Sequence, residues 1–112
     1  MKKNAVAQDP ARNVWLQLGF LDAEEHFLKA ELVLRLDRAL KRLKLTQQRA
    51  AKRIGTTQPE LSKILNGKFS EVSLERLMRM LAALGHRIEI TVAASKSDTG
   101  EIVVTGSHRR AA

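Results

Sequence analysis

The chain has 112 residues, 44% of them apolar, with a formal net charge of +8 and no cysteine. That length supports one domain with a modest helical core, and the missing thiols exclude a disulfide framework and a thiolate metal site. No apolar run approaches the roughly 20 residues of a membrane-spanning helix, and the start, Met1 to Pro10, has no long apolar stretch to act as a signal, so a cytoplasmic protein is expected.

Residues 1–12 are polar and aperiodic and read as a flexible arm. Val14, Leu16, Leu18 and Phe20 alternate with other residues, which predicts a short extended segment covering the domain. The single tryptophan, Trp15, packs on this reading against the chain's own long helix, with anchoring of a partner as the alternative. Asp22 and Glu25 suit the positive end of a following helix. Leu28, Leu32, Leu36, Leu40 and Leu43 then recur at helical spacing, so this helix runs to about Lys44 with one buried stripe. The leucines extend over too few heptads for a coiled-coil seam.

The segment from Leu45 to Gly67 carries the most information. Thr46 is placed to cap a helix, Ala51 is small enough for a second helix to cross closely, and Gly55 supplies the left-handed residue that ends the first helix. Thr57 opens a second helix, with Glu60 three residues on as in a capping box. Pro59 falls in its first turn, where a missing amide proton costs little. Leu61, Ile64 and Leu65 form one apolar stripe and leave Gln58, Ser62 and Lys63 outward, and Gly67 stops the helix. This is the pattern of a helix-turn-helix. It lies inside the chain's positive charge: from Arg35 to Lys68 ten cations face only Asp37 and Glu60, which equals the whole net charge of +8. Such a block spanning the motif is the footprint of a phosphate-backbone binder.

Ser73 is expected to cap a fourth helix whose inner face is Leu74, Leu77, Met78, Leu81 and Leu84, ended by Gly85. Ile88, Ile90 and Val92 alternate with Arg87, Glu89 and Thr91, which predicts a half-buried strand. A lone strand needs a partner. Either the Glu101–Thr105 segment after the Ser97–Gly100 turn or the same strand of a second copy would serve. Gly106 to Ala112 reads as a loose tail.

In a helix-turn-helix the second helix enters the major groove with its N-terminal residues against base edges, while the first crosses the backbone. Base readout is therefore assigned to Thr57, Gln58, Pro59, Ser62 and Lys63, with Gln58 foremost because its amide can pair bidentately with adenine. Phosphate contacts are assigned to Thr46 and Gln47 at the start of the first helix and to Arg42, Lys44, Thr56 and Lys68. One such helix reads few base pairs, so a homodimer on a palindromic operator follows.

The Thr46-Gln47 opening, Ala51 at the crossing, the Gly55 turn and the Asn66-Gly67 ending resemble, without a gap, the helix-turn-helix of lambda-type phage repressors, the XRE-like class. Ala50 departs from the Leu usual there. Asn13–Glu25, Phe69–Met78 and Leu84–Val92 extend the likeness over residues 13–93 to one subfamily, small antitoxins similar to HigA that pair with a RelE/HigB-like toxin. The resemblance implies a mainly α fold, a lambda-repressor-like bundle of four to five helices with a C-terminal β-strand or hairpin. It implies base contact at Gln58 and dimerisation through Ile88, Ile90 and Val92. Residues 94–112 would hold the turn, the second strand and the tail. A toxin would touch the arm and the Trp15–Phe20 segment. The alternative is a free-standing XRE-like regulator without a toxin.

An enzyme is the contrasting class. His26, His86 and His108 are far apart, with no His-x-x-x-His spacing, phosphate-binding glycine loop or nucleophile elbow. The chain reads as a non-enzyme with no metal or cofactor. A non-specific architectural or RNA-binding protein is the third class; 4% aromatic content and no Tyr argue against stacking platforms for single-stranded RNA.

Overall fold

The computed structural model describes residues 10–106, with side chains from Ala23 onward. Four helices follow in order: α1 (Pro10–Leu43), α2 (Gln47–Ile54), α3 (Gln58–Leu65) and α4 (Leu74–Ala83).

The 34-residue α1 is longer than the leucine spacing indicates and corrects two expectations. Val14 to Phe20 is helical rather than extended, and Asp22 and Glu25 lie inside the helix rather than at its start. Val14, Leu18 and Leu21 also stand at helical spacing, so a short apolar run fits both periods, and the continuous length of the helix decides between them. Gly19 costs about 1 kcal/mol in such an interior, which a helix of this length absorbs. Pro10, the first helical residue, suits a position whose amide has no helical partner. Of the expected arm, residues 10–12 thus belong to α1, and residues 1–9 lie outside the described part.

Leu28, Leu32, Leu36 and Leu40 are buried as their spacing requires, whereas Leu43 at the helix end is exposed. Leu32, Leu36 and Leu40 share one core with Ala50, Ala51, Leu61, Ile64, Leu77, Leu81 and Leu84. Met80, outside the predicted stripe of α4, is also buried, while Leu74 and Met78 are half-buried. Caps fall where the residue types direct: Ser73 Oγ accepts from the Arg76 amide at 3.0 Å.

All four helices end with the same closure, an amide five residues along bonding back to a carbonyl: Leu45 to Leu40, Thr56 to Ala51, Lys68 to Lys63 and His86 to Leu81. This closure needs a left-handed residue. Gly55, Gly67 and Gly85 supply it for α2 to α4, but α1 uses Lys44, at φ 56°. The loop after α3 is held by α1. Buried Lys29 donates to the Ser70 carbonyl at 2.8 Å and pairs with Glu25 at 3.1 Å, and His26 stacks on Phe69 with ring centres 5.3 Å apart.

The expected C-terminal strand is not formed; residues 86–105 contain no strand. Ile90 and Val92 are 76% and 92% exposed, and Ile88 is 38% exposed. The reason is the position of the candidate partner. Instead of pairing with residues 87–92, residues 102–106 lie along α1. The Ile102 amide donates to Glu24 Oε2 at 3.1 Å, Val104 packs on the core, and the Arg35 guanidinium reaches the Gly106 carbonyl at 3.5 Å. Without a ladder, the alternating apolar residues have nothing to be half-buried against. The tail after Gly106 lies outside the described residues.

Candidate nucleic-acid interface

The head of α3 is built by two caps and one amide pair. Thr46 Oγ1 accepts from the Arg49 amide at 3.1 Å and starts α2; Thr57 Oγ1 accepts from the Glu60 amide at 3.2 Å and starts α3. Between them Gly55, at φ 94°, reverses the chain. Ala50 and Ala51 are fully packed, and with no side chain beyond Cβ they let α2 lie close to its neighbours. Ala50 is therefore a core residue, and the departure from Leu at this position tightens the crossing.

This geometry brings Gln47 and Gln58 together. Gln58 Nε2 donates to Gln47 Oε1 at 2.8 Å, both side chains being half-buried. Sequence reasoning assigned one to phosphate and the other to bases without joining them, because ten intervening residues hide the contact. The bond uses one of the two Gln58 amide protons. The second proton and Oε1 remain, and these are the donor and acceptor needed for adenine N7 and N6.

Around this pair the predicted residues divide by availability. Pro59 and Lys63 are exposed, and so are Arg42, Lys44 and Lys68, as a backbone-contacting role demands. Ser62 is half-buried, with Oγ accepting from Asn66 Nδ2 at 3.3 Å. Thr56 is half-buried and accepts from Arg76 Nη2 at 3.3 Å. Arg76 stands outside the basic block of the sequence, so no charge run signals it. Within that block, by contrast, three cations already have partners within the fold: Arg53 the Ala83 carbonyl at 3.2 Å, Arg35 Glu31 at 3.3 Å and Lys41 Asp37 at 3.0 Å.

The end of α1 carries one titrating neighbour. Burial holds the His86 imidazole below its ordinary value of 6.5, Arg42 and Arg35 press the same way, and the nearby Leu81 backbone opposes them. Its Nδ1 is buried without a hydrogen-bond partner. Among the described residues no three His, Asp or Glu side chains stand together as a metal site, and no helix is long and apolar enough to cross a membrane. A groove of about 490 Å³ runs between α1 and residues 102–104, lined by Ala23, Phe27, Leu28 and Val103 with Glu24 and Glu31 at its edge.

A family model described as a helix-turn-helix domain matches residues 14–93. A solved structure described as an XRE family transcriptional regulator is 35% identical, with a TM-score of 0.72; the likeness covers 77% of this chain and 99% of that one. No curated protein matches the chain.

Proposed function

We propose that this chain, which belongs to the XRE-like helix-turn-helix family, is a transcriptional repressor that binds a palindromic operator as a homodimer in the cytoplasm and serves as the antitoxin of a RelE/HigB-like toxin. The observation that carries the DNA reading is the head of α3. There Gln58 is braced by Gln47 with its base-pairing atoms free, between two capped helix starts and beside exposed Arg42, Lys44, Lys63 and Lys68. Thr57, Pro59, Ser62 and Lys63 complete the groove-facing surface, and Thr46, Gln47 and Thr56 join the cations on the phosphates.

Ile88, Ile90 and Val92 supply the dimer contact. Their exposure in one copy is the support for this assignment, since apolar side chains on unpaired extended chain gain most from a second copy. The toxin surface is placed on the N-terminal half of α1 with the Trp15–Phe20 segment, and exposed Phe27 in the adjoining groove supports that side as a protein contact. No catalytic role is assigned.

Three measurements test the parts separately. Binding to promoter DNA should exceed binding to a scrambled duplex by about 10³-fold or more, the range of sequence-specific regulators; equal affinities would make this a non-specific binder. Sedimentation should give a dimer that Ile90→Asp converts to monomer; dimers surviving that change would move the interface elsewhere. Co-expression with the flanking genes should yield a small basic partner in fixed stoichiometry. Recovery of the protein alone would leave the free-standing regulator.

A further inference from the structure

We infer that Arg76, on the first turn of α4, is a further phosphate contact that clamps the DNA strand beside the head of the recognition helix. The inference rests on the DNA-binding reading above and adds to it a fourth element of the interface, α4. Arg76 Nη2 donates to Thr56 Oγ1 at 3.3 Å, and Thr56 immediately precedes Thr57, the residue that caps α3. The guanidinium therefore stands at the end of α3 that faces base edges in this motif, where the backbone of the groove wall passes.

Three features separate this arginine from its neighbours. It is exposed, and among the described residues it joins no ion pair. A guanidinium has five N–H donors in a rigid fork, and the bond to Thr56 uses one, so a bidentate face for a phosphate remains. The next arginine of the same helix, Arg79, is already held by Glu75 through two bonds of 2.7 and 3.0 Å. Arg53, on the other side of the turn, is directed to the Ala83 carbonyl at the far end of α4. Of these three, only Arg76 presents an uncompensated charge at the head of α3. Its position is set on both sides: the Ser73 cap fixes the first turn of α4, and the Thr56 hydroxyl orients the tip of the side chain. Arg76 thus complements Arg42 and Lys44, which approach from the end of α1.

The test is the salt dependence of binding, measured on promoter DNA and on a random duplex. Each phosphate contact contributes about 0.9 to the slope of log affinity against log salt. Arg76→Ala should lower the slope by about one on both duplexes, and should weaken both alike. Arg76→Lys should restore most of the slope, because it keeps the charge, and Arg79→Ala should leave it unchanged. An Arg76→Ala protein that folds normally by circular dichroism and keeps the parent slope would overturn the inference, as would a loss confined to promoter DNA. Failure of the parent protein to bind either duplex would instead remove the DNA-binding reading itself.

Discussion

Removing either member of the Gln47–Gln58 pair should weaken operator binding in different ways, and removing both should show that they act together. Gln58→Ala deletes the amide assigned to adenine, a loss of about 1–3 kcal/mol for a bidentate contact, or roughly 5- to 150-fold in affinity. Gln47→Ala leaves those base-pairing atoms in place but removes the 2.8 Å brace that aims them. The freed side chain must then be ordered on binding, at about 0.5–1.5 kcal/mol for a rotamer-rich group. In a Gln58→Ala background that ordering cost no longer exists, so Gln47→Ala should cost only its own phosphate contact. The double-mutant cycle should therefore show coupling of about 0.5–1.5 kcal/mol, well beyond the roughly 0.3–0.5 kcal/mol scatter of independent sites. The assay is fluorescence anisotropy at one fixed salt concentration, on the operator and on each single-base variant of one half-site. Gln58→Ala should flatten the preference at one base position. Additive losses, or an unchanged base profile in Gln58→Ala, would refute the reasoning.

Lys44 ends α1 in the left-handed conformation at φ 56°, which costs a residue bearing a Cβ about 1–2 kcal/mol. Lys44→Gly should raise the thermal midpoint while lowering the salt slope of DNA binding by about one contact; a lower midpoint would show that the lysine is not strained. His86 gives a pH dependence whose direction follows from burial. Its folded-state pKa lies below 6.5, so the unfolded chain takes up the proton first. Its stabilising contribution is then complete above pH 6.5 and is lost as pH falls through the lowered folded-state value. Chemical denaturation from pH 8 to 5 should show a smaller acid loss in His86→Asn than in the parent, and parallel curves would exclude His86 as the source.

The sequence by itself determined the helix-turn-helix. Thr46, Gly55, Thr57, Pro59 and Ser73 act through bonds and dihedral angles within a few residues of themselves, and such local chemistry does not depend on the rest of the chain. Leu28, Leu32, Leu36 and Leu40 of α1, with Leu77, Leu81 and Leu84 of the last helix and its cap, were named as core for the same reason, since helical spacing directs one face inward wherever the helix goes. Tertiary structure decided the rest. Val14 to Phe20 fits two periods over so short a span that only the continuous length of α1 separates them. The Ile88–Val92 alternation requires a ladder partner, and whether one exists depends on where residues 102–106 come to lie, which is along α1. Gln47 with Gln58, and Arg76 with Thr56, are pairs made by the crossing of helices distant in sequence. The charge block likewise counts Arg35, Lys41 and Arg53 as available, although each is turned to a partner in the fold. It omits Arg76, because a charge run measures proximity along the chain, whereas a phosphate meets only the charges that the fold places at one surface.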